Sequence, residues 1–237
     1  MKAKTSRLQL IDGLRGVSVL MMLAYHFCYD LVWFGWAQWR MLEDPAWIGW
    51  RNVIVCCFLL LVGVSLALRQ FFQVEAHDFW KRWAEIAAAA VLVSLGSWLF
   101  AGERFIYFGI LHLIALALLL GTLSVRLGRW NALLGLLVIA AGLGINSDAF
   151  NPKYWNWLGF ASIKPATEDY APLFPWFGVV LLGIALGQTW IERGLPAAHY
   201  RLPGILRWLG RWSLTVYLTH QIIFIGLLWL IQGLTRL

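Results

Sequence analysis

Lysine is scarce in this chain, and all five lysines (Lys2, Lys4, Lys81, Lys153 and Lys164) lie outside the long apolar runs. No lysine inside a span is left for a Schiff base, which excludes a retinal protein. Cysteine is scarcer: Cys28, Cys56 and Cys57, each within an apolar run. An odd count at that spacing fits neither a disulfide framework nor a zinc site, so the three read as small packing residues and no metal is expected. Charge is thin overall, 13% of residues against 61% hydrophobic, and the basic residues form no arm or recognition helix. Nucleic acid is therefore excluded as a partner. No long internal repeat is visible, which weighs against an inverted-repeat transporter.

Apolar length is what the chain has. A mean hydropathy of +0.70 over 237 residues is more than a soluble domain can hide. The expected fold is all-α, a polytopic membrane helix bundle in the lipid bilayer, with residues 1–237 as a single transmembrane domain. A span needs about 20 apolar residues. Seven runs approach this: 12–34, 53–72, 84–101, 105–124, 130–146, 173–190 and 212–232. Of the 16 tryptophans, Trp33, Trp36, Trp39, Trp47 and Trp50 gather at span ends, where their rings favour the lipid–water interface. The start, MKAKTSR before an apolar run, imitates a signal peptide. His26 and Asp30 break that run and no small-residue cleavage site follows, so it is expected to remain as the first span.

The net charge of +7 reports topology. With the N-terminus in the cytoplasm, twelve Lys and Arg fall on the cytoplasmic side and six on the other. The expected orientation is N-terminus in, C-terminus out. The polar, Trp-bearing segment 147–172 then lies outside the cytoplasm.

The first span carries the chemistry. IDGLRGVSVLMMLAYHFCYD holds Asp12, Arg15, His26 and Asp30 in otherwise lipid-compatible sequence. A helix turns about 100° per residue, so these four fall on one stripe, which must face protein or a wet cavity. Asp30 stands at i+4 from His26, within reach of the imidazole. An acid that orients a histidine makes a general base. A structural His–Asp pair closing a polar gap is the plainer alternative. His112, in YFGILHLIAL, sits about 10 Å inside its span and is either a partner for His26 or a hydrogen-bonded core histidine. His220, in SLTVYLTHQIIF, lines the same cavity or links helices. The outer segment offers Tyr154, Trp155, Trp157, Glu168 and Asp169; aromatic faces beside acids suit sugar rings and amines, and also an interfacial lid. Pro175-Trp176 reads first as a helix start.

These residues carry a resemblance. An Arg, ten residues and a His (Arg15, His26) resemble the first span of the acyltransferase-three family, within the transmembrane acyltransferase superfamily. With His-x-x-x-Asp, YFGILHLI, LFPWFGVVLLGIALG and LGRWSLTVYLTHQ in that order, the chain is closer to the bacterial relatives of heparan-α-glucosaminide N-acetyltransferase. The resemblance implies a multi-pass enzyme of the bacterial inner (cytoplasmic) membrane. Such an enzyme takes an acetyl or other acyl group from cytoplasmic acyl-CoA and delivers it to a sugar or glycolipid amine or hydroxyl on the far side. The family's essential histidine maps onto His26 and its motif arginine onto Arg15, with Asp12 in the same pattern. His26 would be general base or acyl carrier, oriented by Asp30. His112 would stabilise the oxyanion or bind acceptor. Arg15, Asp12, Arg82 and Arg211 would hold the coenzyme. Trp155, Trp157, Glu168, Asp169, Trp176 and His220 would face the acceptor. A homodimer is left open. The chain lacks the larger extracytoplasmic domain of the animal enzyme, so heparan is not the expected acceptor. Two rivals remain: a transporter or flippase using the same stripe, and a b-type haem protein with His26, His112 and His220 as ligands.

Overall fold

The computed structural model describes residues 2–167, 169–194 and 202–234, with side chains from residue 9 onward. Its helices are α1 (Lys2–Trp33), α2 (Pro45–Phe71), α3 (Ala76–Ala101), α4 (Ile110–Ser124), α5 (Trp130–Gly144), the single turn α6 (Lys153–Asn156), α7 (Leu173–Glu192), α8 (Gly204–Arg211) and α9 (Ser213–Leu234). No β-strand forms among the described residues; one isolated bridge joins Ser147 and Ala161. Among the described residues, six helices are long and apolar enough to cross a membrane. The seventh expected span is α5, which has 15 residues. At about 1.5 Å per residue it reaches about 22 Å, short of a bilayer core of about 30 Å.

Helix ends follow local chemistry. Asp44 Oδ1 accepts the Ala46 N–H at 2.8 Å, and Pro45 takes the first helical position of α2, where its missing N–H costs nothing. α3 begins eight residues before its apolar run, because the polar segment AHDFWKRW continues the helix. α4 begins later than hydropathy implies, at Ile110, where a carboxylate from far along the chain caps it. In α7, Phe174 is extended (φ −96°, ψ 133°), and the regular helix resumes at Pro175.

The chain divides into two compact units. The first, Met1–Phe58 with Ala197–Leu237, contains α1, the start of α2, α8 and α9. In it α1 packs on α8 and α9. Its core gathers Val19, Met22, Tyr25, Met41 and Ile54. The stacked rings of Trp47 and Trp50, 5.5 Å apart, meet the edge of Tyr25. The approach of α8 is set by glycine: a Cβ on Gly16 would collide with the Leu206 carbonyl, and one on Gly210 with the Asp12 carbonyl. The glycines of IDGLRG and LGR are thus the contact surface between these two helices.

The second unit, Leu59–Pro196, holds the rest of α2 and α3–α7. α5 packs on α7, α3 on α4, and α4 on α7. A Cβ on Gly135 would fall 2.7 Å from the Gly178 carbonyl, so backbone meets backbone there, as small residues permit between apolar helices. Arg82 pairs with Glu85 on its own exposed helix face at 2.9 Å.

Candidate active site

α1 carries two polar clusters on one stripe, both within the first unit. The first is electrostatic. Asp12 accepts from Arg15 Nη1 at 3.2 Å and from Arg211 Nε at 3.3 Å, one carboxylate between two guanidinium groups. Arg207, one turn before Arg211 on α8, donates to Gln9 Oε1 at 2.9 Å, and its Nε is buried without a partner. Two arginines therefore share one acid, and a third, Arg207, lies one turn from Arg211 on the same helix. This surplus suits phosphate groups, which take arginine in bidentate fashion.

The second cluster lies about 16 Å further along α1. The ring of His26 meets the ring of His220 edge-on, with centroids 4.9 Å apart. His220 is buried, and its Nδ1 faces the carbonyls of Tyr217 at 2.8 Å and Val216 at 3.2 Å. Carbonyls only accept, so Nδ1 carries the hydrogen. Nε2 is then the lone-pair nitrogen, and it is buried with no partner. Asp30 is buried too, at 2% exposure. Its Oδ1 accepts from the Gln221 side-chain amide at 2.5 Å, and no bond joins it to His26. The sequence reading paired Asp30 with His26; the structure turns the carboxylate to α9 because Gln221 brings an N–H donor to it. Asp30 Oδ2 and Gln221 Oε1 remain buried without donors. The wall between α1 and α9 thus presents three unsatisfied acceptors: His220 Nε2, Asp30 Oδ2 and Gln221 Oε1. Each costs free energy until an N–H or O–H reaches it.

His112, in the second unit, is engaged at both nitrogens. The Gly109 N–H donates to Nδ1 at 3.2 Å. Nε2 therefore carries the hydrogen and donates to Ser94 Oγ at 3.1 Å, and Ser94 passes its own hydrogen to the Ile106 carbonyl at 2.6 Å. This chain ties the start of α4 to α3.

Segment 147–172 folds over the same corner. Asp169 Oδ2 accepts the Ile110 N–H at 2.8 Å, so this candidate acceptor ligand also caps α4. Glu168 lies outside the described residues. Trp157 packs its ring 5.5 Å from that of Phe108 and donates to the Tyr154 carbonyl at 2.9 Å. Trp155 is exposed, and Trp176 is half-buried in α7. Beneath the segment is a cavity of about 360 Å³ lined by Glu103, Arg104, Tyr107, Asn151, Lys153 and Asn156. Buried Asn156 holds two phenols there: Tyr107 donates to its Oδ1 at 2.9 Å and Tyr170 to its carbonyl at 2.6 Å. Burial raises the pKa of Tyr107. Burial, then the neighbouring Tyr107, pushes Tyr170 up to about 12.

The profile of the family described as Heparan-alpha-glucosaminide N-acetyltransferase, catalytic, matches residues 7–222, which takes in both clusters on α1. The chain belongs to this family. No curated protein and no solved structure matches it. Membership, with six helices fit to cross a bilayer, makes the chain a multi-pass membrane acetyltransferase of the heparan-α-glucosaminide N-acetyltransferase type. Among the described residues, no group of three or more His, Cys, Asp or Glu could hold a metal ion.

Of the residues singled out in the sequence, Asp12, Arg15 and Arg211 meet in the first cluster, and His26, Asp30 and His220 lie in the second, further along α1. Arg207 stood in the sequence only as one of the basic residues on the expected cytoplasmic side, and Gln9, which accepts from it, carried no signal beyond its place beside IDGLRG. Sequence reasoning noticed Gln221 as a polar residue in a span without finding its partner.

Proposed function

We propose that the chain moves an acetyl or related acyl group from cytoplasmic acyl-CoA to an extracytoplasmic sugar or glycolipid amine or hydroxyl, with His26 as general base. The supporting observation is the trio of buried acceptors beside His26. Three atoms that accept hydrogen bonds recognise a group that donates them, and an amine or hydroxyl is such a group. The arginine cluster fits the donor's phosphates: Arg15, Arg207 and Arg211 carry three positive charges against Asp12, and Arg207 Nε is without a partner. Arg82 is paired with Glu85 on an exposed face of α3.

The reaction balances as an acyl transfer. The acceptor nitrogen or oxygen bonds to the thioester carbon, and His26 receives the proton the acceptor loses. The carbon–sulfur bond breaks, the thiolate departs, and it takes up a proton to become free CoA. His220, with Nε2 unprotonated beside the His26 ring, supplies a second site for the proton. Asp30 and Gln221 hold the acceptor's remaining hydrogens. An acyl-His26 intermediate is the variant route, separable by trapping label on protein without acceptor.

The sidedness is tested in sealed proteoliposomes with labelled acetyl-CoA outside and glucosamine or an envelope glycolipid extract inside. The proposal predicts labelled acceptor in the lumen, dependent on His26. Movement of unacylated acceptor with no consumption of acetyl-CoA would instead give the transporter reading.

A further inference from the structure

We infer a phosphate-binding site in the second unit, between the ends of α2 and α4, built on Arg69 and Arg126. A cavity of about 200 Å³ there is lined by Leu66, Arg69, Gln70, Gln73, Thr122 and Arg126, with two valines. Two of these are cations and none is an acid. Arg69 lies over the ring of Phe79 at 4.1 Å, and its Nε is buried without a partner. Neither arginine has an ion pair among the described residues.

The ordinary task of arginine at a helix C-terminus is to cap the last carbonyls. Here several of those carbonyls are taken. The Phe72 N–H reaches the Leu68 carbonyl at 2.9 Å, Val74 that of Arg69 at 3.2 Å, and Gln73 that of Gln70 at 3.2 Å. At the end of α4, Ser124 Oγ donates to the Gly121 carbonyl at 3.2 Å, Asn131 takes the Ser124 carbonyl at 3.0 Å, and Gln188 that of Val125 at 2.5 Å. Apart from the stacking of Arg69 on Phe79, the fold gives neither guanidinium group an ion pair among the described residues. Two such charges, with the exposed amides of Gln70 and Gln73 at the rim, are donors only toward an anion, and planar guanidinium forks match phosphate oxygens. The volume is below the roughly 300–1,000 Å³ of sites that enclose whole small molecules, so the cavity takes a phosphate group and leaves the rest of its bearer outside. A basic pocket between spans is the form that anionic lipid headgroups occupy, and free phosphate has the same chemistry.

The two sources separate in one experiment. Protein delipidated in neutral detergent is titrated with sodium phosphate against sodium chloride at equal ionic strength. In parallel it is placed in nanodiscs of phosphatidylglycerol or phosphatidylcholine. The readout is melting temperature, for wild type, Arg126→Gln and Arg69→Gln. Arg126 is exposed, so Arg126→Gln should fold and serves as the deciding variant. The expected result is a rise of about 2–4 °C in the wild type that Arg126→Gln loses. A rise with phosphate identifies a free-phosphate site, and a rise with phosphatidylglycerol alone identifies a lipid site. No rise in either arm, or equal rises in wild type and Arg126→Gln, overturns the site.

Discussion

The imidazole of His26 stands edge-on to that of His220, ring centroids 4.9 Å apart and planes at 76°. Among the described residues, no carboxylate bonds to either ring. The pair is a histidine dyad, with His220 held in one tautomer by two carbonyls of its own helix. If His220 shares the proton with His26, then His220→Gln lowers kcat by about 10²-fold, the lower end for a general acid–base group. The double variant with His26→Gln is then no slower than His26→Gln alone. Turnover numbers for the four proteins check this; additive losses would mean the rings act separately.

Asp30 and Gln221 make a buried bond across α1 and α9. Removing either partner strands the other. Asp30→Leu and Gln221→Leu should each cost about 1–3 kcal/mol of stability. Asp30→Leu with Gln221→Leu should be more stable than either single variant and have little activity. Melting curves in detergent, paired with turnover, separate the structural part of this pair from its part in binding acceptor.

Asp12 divides one negative charge between Arg15 and Arg211. Arg211→Gln should raise KM for acyl-CoA by about tenfold with little change in kcat, because one charge-assisted phosphate contact accounts for about 1.5 kcal/mol. Asp12→Asn leaves Arg15 and Arg211 without their counter-charge and should raise donor affinity while lowering stability. Initial rates against acyl-CoA concentration test both.

Tyr170 and Tyr107 predict alkaline behaviour. The phenol of Tyr170, pushed up to about 12 in the fold, ionises near 10 when unfolded. Above 10 the unfolded chain releases its proton before the folded one, so unfolding becomes easier as pH rises between about 10 and 12. Below 10 both states hold the proton and the contribution is intact. Tyr170→Phe, which cannot ionise, should lose the Asn156 bond and some stability at pH 8 but show a flatter decline from pH 9 to 11. Melting temperature against pH for the two proteins gives the comparison.

The spans were legible because hydropathy is a property of long runs. Each expected run became a helix, and α1 carried its polar stripe where the 100° turn put it. Edges were not legible where a distant residue sets them. α4 starts at Ile110 because Asp169, 59 positions away, caps it, and no local pattern announces that. The same holds in the site. An i+4 rule brings Asp30 near His26, but the choice between His26 and Gln221 depends on which helix packs on α1. IDGLRG was legible as a charged motif, whereas its glycines became intelligible only when α8 was seen against them. His112 left two readings open in sequence, a partner for His26 or a hydrogen-bonded core histidine, since depth alone was visible; its bonds to Gly109 and Ser94 give it a place in the capping of α4.

The central claim is acyl transfer that depends on His26. It is tested most directly by CoA release from acetyl-CoA, with glucosamine or envelope extract as acceptor, using purified wild type beside His26→Gln. The account predicts steady CoA release matched by labelled acceptor in the wild type. It predicts a loss of about 10²-fold or more in His26→Gln, at an unchanged melting temperature. Full turnover by a folded His26→Gln protein would contradict it.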